Sequence, residues 1–309
     1  MCYSAEIEAD YRKYVRMYGA HISIREFSKL YWERTEGSGA NTPKAMDEVF
    51  TDPSIEAHVK TGIPIQMFRS AQEIVHQREL FTQRQRLAEA EGKLQEKQTK
   101  TAAESRRVAT NKIDAALGKL EDLKRTELLP RDSRIYPGWY VPVMIVQDGE
   151  RVIVPMRFRC RLPGWTEADE REKDGSYNAR LDRLTTSWSK LFGHQHGVML
   201  VDRFYENVTR DGKKVVLKFD PVPAQPMMVA CLWNRSELPG EDYLLSFAAI
   251  TDDPPPEVAA AGHDRCIVPI KAEHVDAWLN PDPADLDAQF AILTDRERPY
   301  YEHEIAKAA

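Results

Sequence analysis

Apolar and polar positions alternate along this chain in three textures. Between residues 5 and 66 the apolar positions come in short pieces at helical spacing, such as EIEADYRKYVRMYG and ISIREFSKLYWERT. Each closes near a glycine or a polar turn, which predicts short helices. From Met67 to Leu129 there is no proline; Glu, Gln, Lys, Arg and Ala dominate, and Leu80, Leu87 and Leu94 stand seven residues apart. The apolar spacing lapses through KQTKTAAESRR and resumes at Ile113, Leu117 and Leu120. That lapse predicts two helices folded back on each other around residues 98–105. A single helix of this length would span about 90 Å at 1.5 Å per residue and leave its stripe uncovered.

After Pro130 the period shortens to that of strands. WYVPVMIVQDGERVIVPMRFRC reads as a hairpin of two Val/Ile-rich strands joined across QDGE, whose Asp-Gly is a tight-turn signal. GVMLVDRFYENV, KKVVLKF, PMMVACLW, YLLSFAAIT and DRCIVPI follow as further strands, with RLDRLTTSWSKLF and AEHVDAWL as interspersed helices. The body from residue 130 onward is therefore expected to be α+β with a largely antiparallel sheet.

Composition narrows the function classes. No run approaches the ~20 apolar residues of a membrane helix, and the charged first twenty residues do not resemble a secretory signal. A cytoplasmic protein without membrane contact is expected. The four cysteines lack CxxC or Cys/His ligand spacing, so they read as reduced thiols, with no disulfide framework, metal site or cofactor indicated. A net charge of −6 does not advertise a nucleic-acid binder, yet it says little about a local basic cleft.

Four places carry chemistry. Cys2 follows the initiator methionine, and cysteine is small enough for that methionine to be trimmed, leaving an α-amine and a thiol on one residue. SYNARLDRL holds Asn178 and Arg180 just before an expected helix, where asparagine can cap and arginine can bind an anion. LVDRFYENV places Glu206 beside Tyr205 at the end of an apolar strand, and AAAGHDRCIVPI places His263 and Arg265 at a strand entrance. Singly, these read as a helix cap, a surface carboxylate and a satisfied histidine.

Their order and wording change that reading. The Met-Cys start, VPMRFRCRLPGW, NARLDRL, LVDRFYEN, ACLW and GHDRCIVPIKAEHVDAWL resemble the SRAP family, the SOS response-associated peptidase-like proteins that sense abasic DNA. The resemblance covers Cys2 and roughly residues 134–280. It implies an α+β fold with a barrel-like antiparallel β-sheet and flanking helices, carrying here a long α-helical hairpin insertion. The expected organisation is a catalytic body of residues 2–4 and 130–309, a helical segment at 5–66 and the charged hairpin at 67–129. Residue by residue it implies Cys2, Asn178, Glu206 and His263 as catalytic groups and Arg180 and Arg265 as DNA contacts. Trp165 and Tyr205 would supply base stacking.

The implied partner is single-stranded DNA containing abasic sites. The implied chemistry is a thiazolidine crosslink closed by the amine and thiol of a processed Cys2, in answer to DNA damage. The alternative is a cysteine-type peptidase, acting on Met1 or on other proteins. A monomer is expected, with the 67–129 segment as a site for a protein partner. Three departures stand out. Ser4 occupies the place of the arginine in the family's Met-Cys-Gly-Arg start, Asn207 that of the tryptophan after Tyr-Glu, and Asp182 that of a glutamate. For residues 5–130 the resemblance offers nothing.

Overall fold

The Val- and Ile-rich runs after Pro130 pair with one another in a ring. A computed structural model describes residues 4–51, 56–173, 175–210, 212–237 and 242–306; Cys2 lies outside the described residues. The described strands are β1 (Ser4–Ile7), β2 (His21–Ile22), β3 (Arg134–Ile135), β4 (Tyr140–Gln147), β5 (Glu150–Phe158), β6 (Asn178–Arg180), β7 (His196–Arg210), β8 (Lys213–Val222), β9 (Met227–Ser236), β10 (Leu244–Asp252), β11 (Cys266–Ile267) and β12 (Tyr300–Ile305). β4 pairs with β5, β5 with β10, β10 with β9, β9 with β7 and β7 with β4, which closes a barrel. Only β5 and β10 run parallel in that ring. Closure leaves these strands few free edges and buries alternate residues such as Val143, Val154, Val198, Ala230 and Phe247.

The β4–β5 turn is the one that QDGE predicts. Asp148 and Gly149 have φ of 53° and 82°, the paired left-handed conformations of a two-residue hairpin loop. β7 is fifteen residues long and outruns the barrel. Its second half pairs with β8, β8 pairs with β12, and β1 lies antiparallel along its middle with a register shift between Glu6 and Ile7. Glu6 and Ile7, read from sequence as the start of a helix, are thus strand residues.

The helices are α1 (Tyr11–Tyr18), α2 (Ile24–Thr35), α3 (Lys44–Val49), α4 (Glu56–Glu96), α5 (Lys100–Lys124), α6 (Glu167–Glu172), α7 (Pro256–Ala260), α8 (Val275–Leu279) and α9 (Leu286–Thr294). Side chains of Asp10 and Ser23 cap α1 and α2. Phe27 and Tyr31 of α2 and Tyr11 of α1 gather on the ring of Phe50. RLDRLTTSWSKLF is not the helix its spacing predicts. It forms a 3₁₀ turn at Leu181–Arg183 followed by successive turns. Hydroxyls of Thr186 and Ser189 donate to the carbonyls of Arg183 and Thr186, competing with regular helix bonding.

α4 and α5 form the expected hairpin, broken at residues 97–99 and restarted by the Thr99 side chain, which accepts from the Ala102 N–H at 3.2 Å. α4 begins well before Met67 and runs through Pro64. Proline cannot donate to the carbonyl four residues back, and the Lys60 carbonyl accepts instead a long 3.5 Å bond from the Ser28 hydroxyl. Of the leucine stripe only Leu94 is buried in the seam, which is otherwise built from alanines. Ala102, Ala109 and Ala116, seven residues apart, are buried with Ala90 and Leu94, while Leu80, Leu87, Ile113 and Leu120 are half-buried and Leu117 is exposed. Alanine side chains do not hold two helix axes apart, so the leucines flank the contact. Across it Arg86 Nε donates to Ser105 Oγ at 3.0 Å, and Lys112 pairs with Glu79 at 3.5 Å. At its base, Lys44 donates to the Arg125 carbonyl at 2.6 Å, and Arg125 grips Asp132 at 2.6 and 2.8 Å. Because the outer hairpin contacts itself, replacing residues 80–111 by a short Gly-Ser turn should leave the melting temperature of the body within a few degrees of the full chain. Loss of the cooperative transition in a thermal melt would refute this.

At the start of β7, His196 is enclosed. It is 2% exposed, its ring stacks on Trp278 at 3.9 Å, Nε2 accepts the Gly193 N–H at 2.9 Å, and Nδ1–H donates to the Trp278 carbonyl at 3.0 Å. Burial lowers this imidazole to about 3 from 6.5. The unfolded chain therefore takes up a proton below pH 6.5 that the folded protein refuses, and stability falls as pH drops from 6.5 toward 3. The expected loss is at most about 1.4 kcal/mol per pH unit. His196→Phe keeps the stack and removes the titration, so it should lower stability at pH 7 yet flatten this slope. Urea titrations at pH 7, 6, 5 and 4 with equal slopes in both proteins would contradict the assignment.

Candidate active site

Glu206 lies on β7, one residue beyond Tyr205, which pairs with Ser4 of β1. Its carboxylate is buried, with a side chain 1% exposed. His263 reaches it from the turn after α7, where Gly262 adopts φ +97°, a conformation that costs a residue with a Cβ. The His263 N–H donates to the Val258 carbonyl at 3.3 Å, holding the turn. Nδ1 lies 2.8 Å from the Arg265 carbonyl and 3.3 Å from the Arg265 N–H, and Nε2 faces Glu206 Oε2 at 2.9 Å. A contact of that length between a ring nitrogen and a carboxylate oxygen is a hydrogen bond, with one proton between the two groups. The pair thus joins a buried carboxylate to an imidazole, the two side chains most used to move a proton.

The end of β10 gathers the other candidates. Ala249, Ile250 and Thr251 pair with Asn178, Ala179 and Arg180 of β6, while Thr251 and Asp252 pair with Ile267 and Cys266 of β11. Asn178 is a strand residue here and caps no helix. It is 6% exposed, and neither its amide nitrogen nor its amide oxygen has a partner among the described residues. Arg180 is exposed and holds Asp182 in a bidentate pair at 2.9 and 2.7 Å. Arg265 pairs with Asp253 at 2.9 Å. The Asp182 carboxyl is lowered by its hydrogen bonds from Arg180 and further by the charges of Arg265 and Arg183. The two arginines thus share one patch, and an incoming phosphate would have to displace their aspartates.

Two expected stacking rings are placed otherwise. Tyr205 is 5% exposed, its hydroxyl donates to Glu6, and the Arg134 guanidinium covers its ring at 3.8 Å, so it offers no open face. Trp165 is half-buried beside α6 with the Lys173 ammonium over its ring at 4.6 Å. Arg134 and Glu6 were not singled out from sequence. The signal was present in Glu6, an acidic residue inside what proves to be a strand.

Cys160, Cys231 and Cys266 are unpaired, buried thiols. Burial pushes Cys160 and Cys266 up to about 12 and Cys231 higher, so none is a nucleophile near neutral pH. Among the described residues no helix is long and apolar enough to cross a membrane.

The sequence model of the SOS response associated peptidase (SRAP) family matches residues 94–307, more than half of the chain. The chain belongs to the SRAP family. No curated protein matches it. Among solved structures, this SRAP chain is similar to a structural-genomics protein from Bordetella bronchiseptica at 20% identity, covering 60% of this chain and 90% of that one with a TM-score of 0.48. A Bacteroides thetaiotaomicron protein is 16% identical over 56% of this chain and 77% of its own, with a TM-score of 0.47. A phage-related protein from Bordetella bronchiseptica is 19% identical over 57% and 81%, with a TM-score of 0.43.

The orphaned Asn178 amide supplies a test independent of any substrate. A buried polar group without a partner costs about 1–3 kcal/mol. Asn178→Leu, near in volume, should therefore raise unfolding stability by about 1 kcal/mol. A loss of 2 kcal/mol or more in chemical denaturation would show that the amide is already satisfied within the fold.

Proposed function

We propose that this SRAP protein captures abasic sites in single-stranded DNA through a covalent bond to Cys2. The observation that carries the reading is the buried Glu206–His263 pair beside the strand that begins at Ser4. Two residues of chain reach at most about 7 Å, so the Cys2 backbone is tethered within that distance of Ser4. With Met1 removed, the α-amine of Cys2 attacks the aldehyde carbon of the ring-opened sugar. The carbinolamine loses its oxygen as water to give an imine, and the thiol sulfur then adds to the imine carbon while its proton passes to nitrogen. One amine, one thiol and one aldehyde yield a thiazolidine and one water. The single proton held between Glu206 and His263 suits ring opening and dehydration, each of which needs a proton delivered to oxygen. The Asn178 amide, unspent within the fold, can hold a sugar hydroxyl.

The reading makes Cys2→Ala inert, because the three buried thiols cannot replace it. Glu206→Gln should slow adduct formation at saturating DNA about a hundredfold or more, within the ~10²–10⁴ range of general acid–base catalysis, and should change affinity for intact single-stranded DNA less than twofold. The assay is a denaturing gel of protein incubated with an abasic oligonucleotide, alongside intact mass. An adduct formed by protein that retains Met1, or an undiminished rate in both Glu206→Gln and His263→Ala, would overturn the mechanism. The family's description favours a second reading, a peptidase using the same thiol. It predicts that Cys2→Ala retains Met1 while wild type loses it in a peptidase-free translation system.

A further inference from the structure

Residues of β1, β3, β7, β8 and β12 line a cavity of about 420 Å³, with the cations Arg131, Arg134, Arg203 and Lys218 and the carboxylates Glu6 and Glu304 on its wall. Three of these cations are already matched. Arg203 lies 3.4 Å from Glu6 and 3.0 Å from Asp220, Lys218 pairs with Asp220 and Glu304 at 3.0 and 2.7 Å, and Arg131 pairs with Asp122 at 2.9 Å. Arg134 has no carboxylate partner among the described residues. Its Nε and Nη2 both donate to the Ser4 hydroxyl at 3.2 and 3.0 Å, and its guanidinium lies on the rings of Tyr205 and Tyr136 at 3.8 and 5.2 Å. Of five guanidinium donors, three have no partner among the described residues, in a planar fork whose geometry matches an oxyanion.

We infer that Arg134 is a phosphate clamp, taking the phosphodiester next to the sugar that Cys2 would engage. The inference rests on the reading that single-stranded DNA is the substrate. Its argument is local: the Tyr205 ring covers the guanidinium, the Ser4 hydroxyl takes two of its donors, and Arg134 stands opposite Glu6 of β1, the strand that leads to Cys2. Ser4 also occupies the position where the family's start has arginine. The cation missing from β1 is supplied across the strand pair by Arg134 of β3, whose neighbour Ile135 pairs with Ala5.

The experiment compares wild type, Arg134→Gln and Ser4→Arg/Arg134→Gln, each checked for an unchanged thermal melt. Glutamine keeps a donor for Ser4 while removing the charge. The probes are one single-stranded oligonucleotide without an abasic site, titrated across salt concentrations, and the same sequence carrying one. Arg134→Gln should bind the intact strand about tenfold more weakly and lower the log–log salt slope by about 0.7, the contribution of one phosphate contact on a single strand. The double variant should recover the slope. Equal affinity and slope in wild type and Arg134→Gln would overturn the clamp even if both form adducts, leaving the covalent reading intact. Arg134-dependent binding without any adduct would sink the covalent reading and keep the clamp. Absence of all binding by wild type would remove both.

Discussion

The hydrogen-bond ladder of β7 is the constraint on which the other parts depend. Its first six residues close the barrel against β9, its middle receives β1, and its last seven carry β8. Successive side chains of a strand face opposite ways, so a slip of one residue would turn Glu206 away from His263 and Tyr205 away from Glu6. Packing on both sides resists that slip. Phe204 stacks on Phe219 of β8 at 4.9 Å and meets Tyr301 of β12 edge-on at 5.1 Å. The same strand that seals the barrel therefore sets the position of Glu206 against His263.

Two histidines show how burial alone does not decide chemistry. His196 and His263 are both largely enclosed, 2% and 9% exposed. His196 faces a carbonyl and an N–H, one acceptor and one donor, which suit the neutral ring and hold it far below its usual range. His263 has the Arg265 backbone on one nitrogen and a buried carboxylate on the other. The first arrangement spends its hydrogen bonds on backbone groups. The second joins two side chains that can each carry a proton.

What was legible in sequence was legible for local reasons. The Asp-Gly turn, the β4–β5 hairpin and the break between α4 and α5 follow from turn chemistry and periodicity over a few residues. The sequence also supplied Glu206 and His263 as a pair only through the order of motifs, since 57 residues separate them and no periodicity joins them. The alanine seam escaped because a stripe is sought among large residues, while close helices prefer small ones. RLDRLTTSWSKLF escaped because its hydroxyls satisfy the backbone locally. Tyr205 seemed available for stacking because nothing in its own strand reveals that Arg134, far along the chain, would cover its ring.

Asn178 and Asn234 stand on strands that both pair with β10, and the contrast between them separates scaffold from site. Asn234 donates its amide to the Arg161 carbonyl at 2.7 Å and to the Ser236 hydroxyl at 2.9 Å, so its polarity is absorbed by the fold. Asn178, more deeply buried than the half-buried Asn234, has neither donor nor acceptor matched among the described residues. Folding gains nothing from such an amide and loses the water it would otherwise bind. Arg134 repeats the pattern with charge, its fork held in place by two rings and a hydroxyl while three donors go unused. Groups oriented by the fold yet unsatisfied by it need no reorganisation when a ligand arrives, and that preorganisation is where polar contacts contribute most to reaction rates. On this argument the energy withheld from stability at Asn178 and Arg134 is available to a ligand that meets either group.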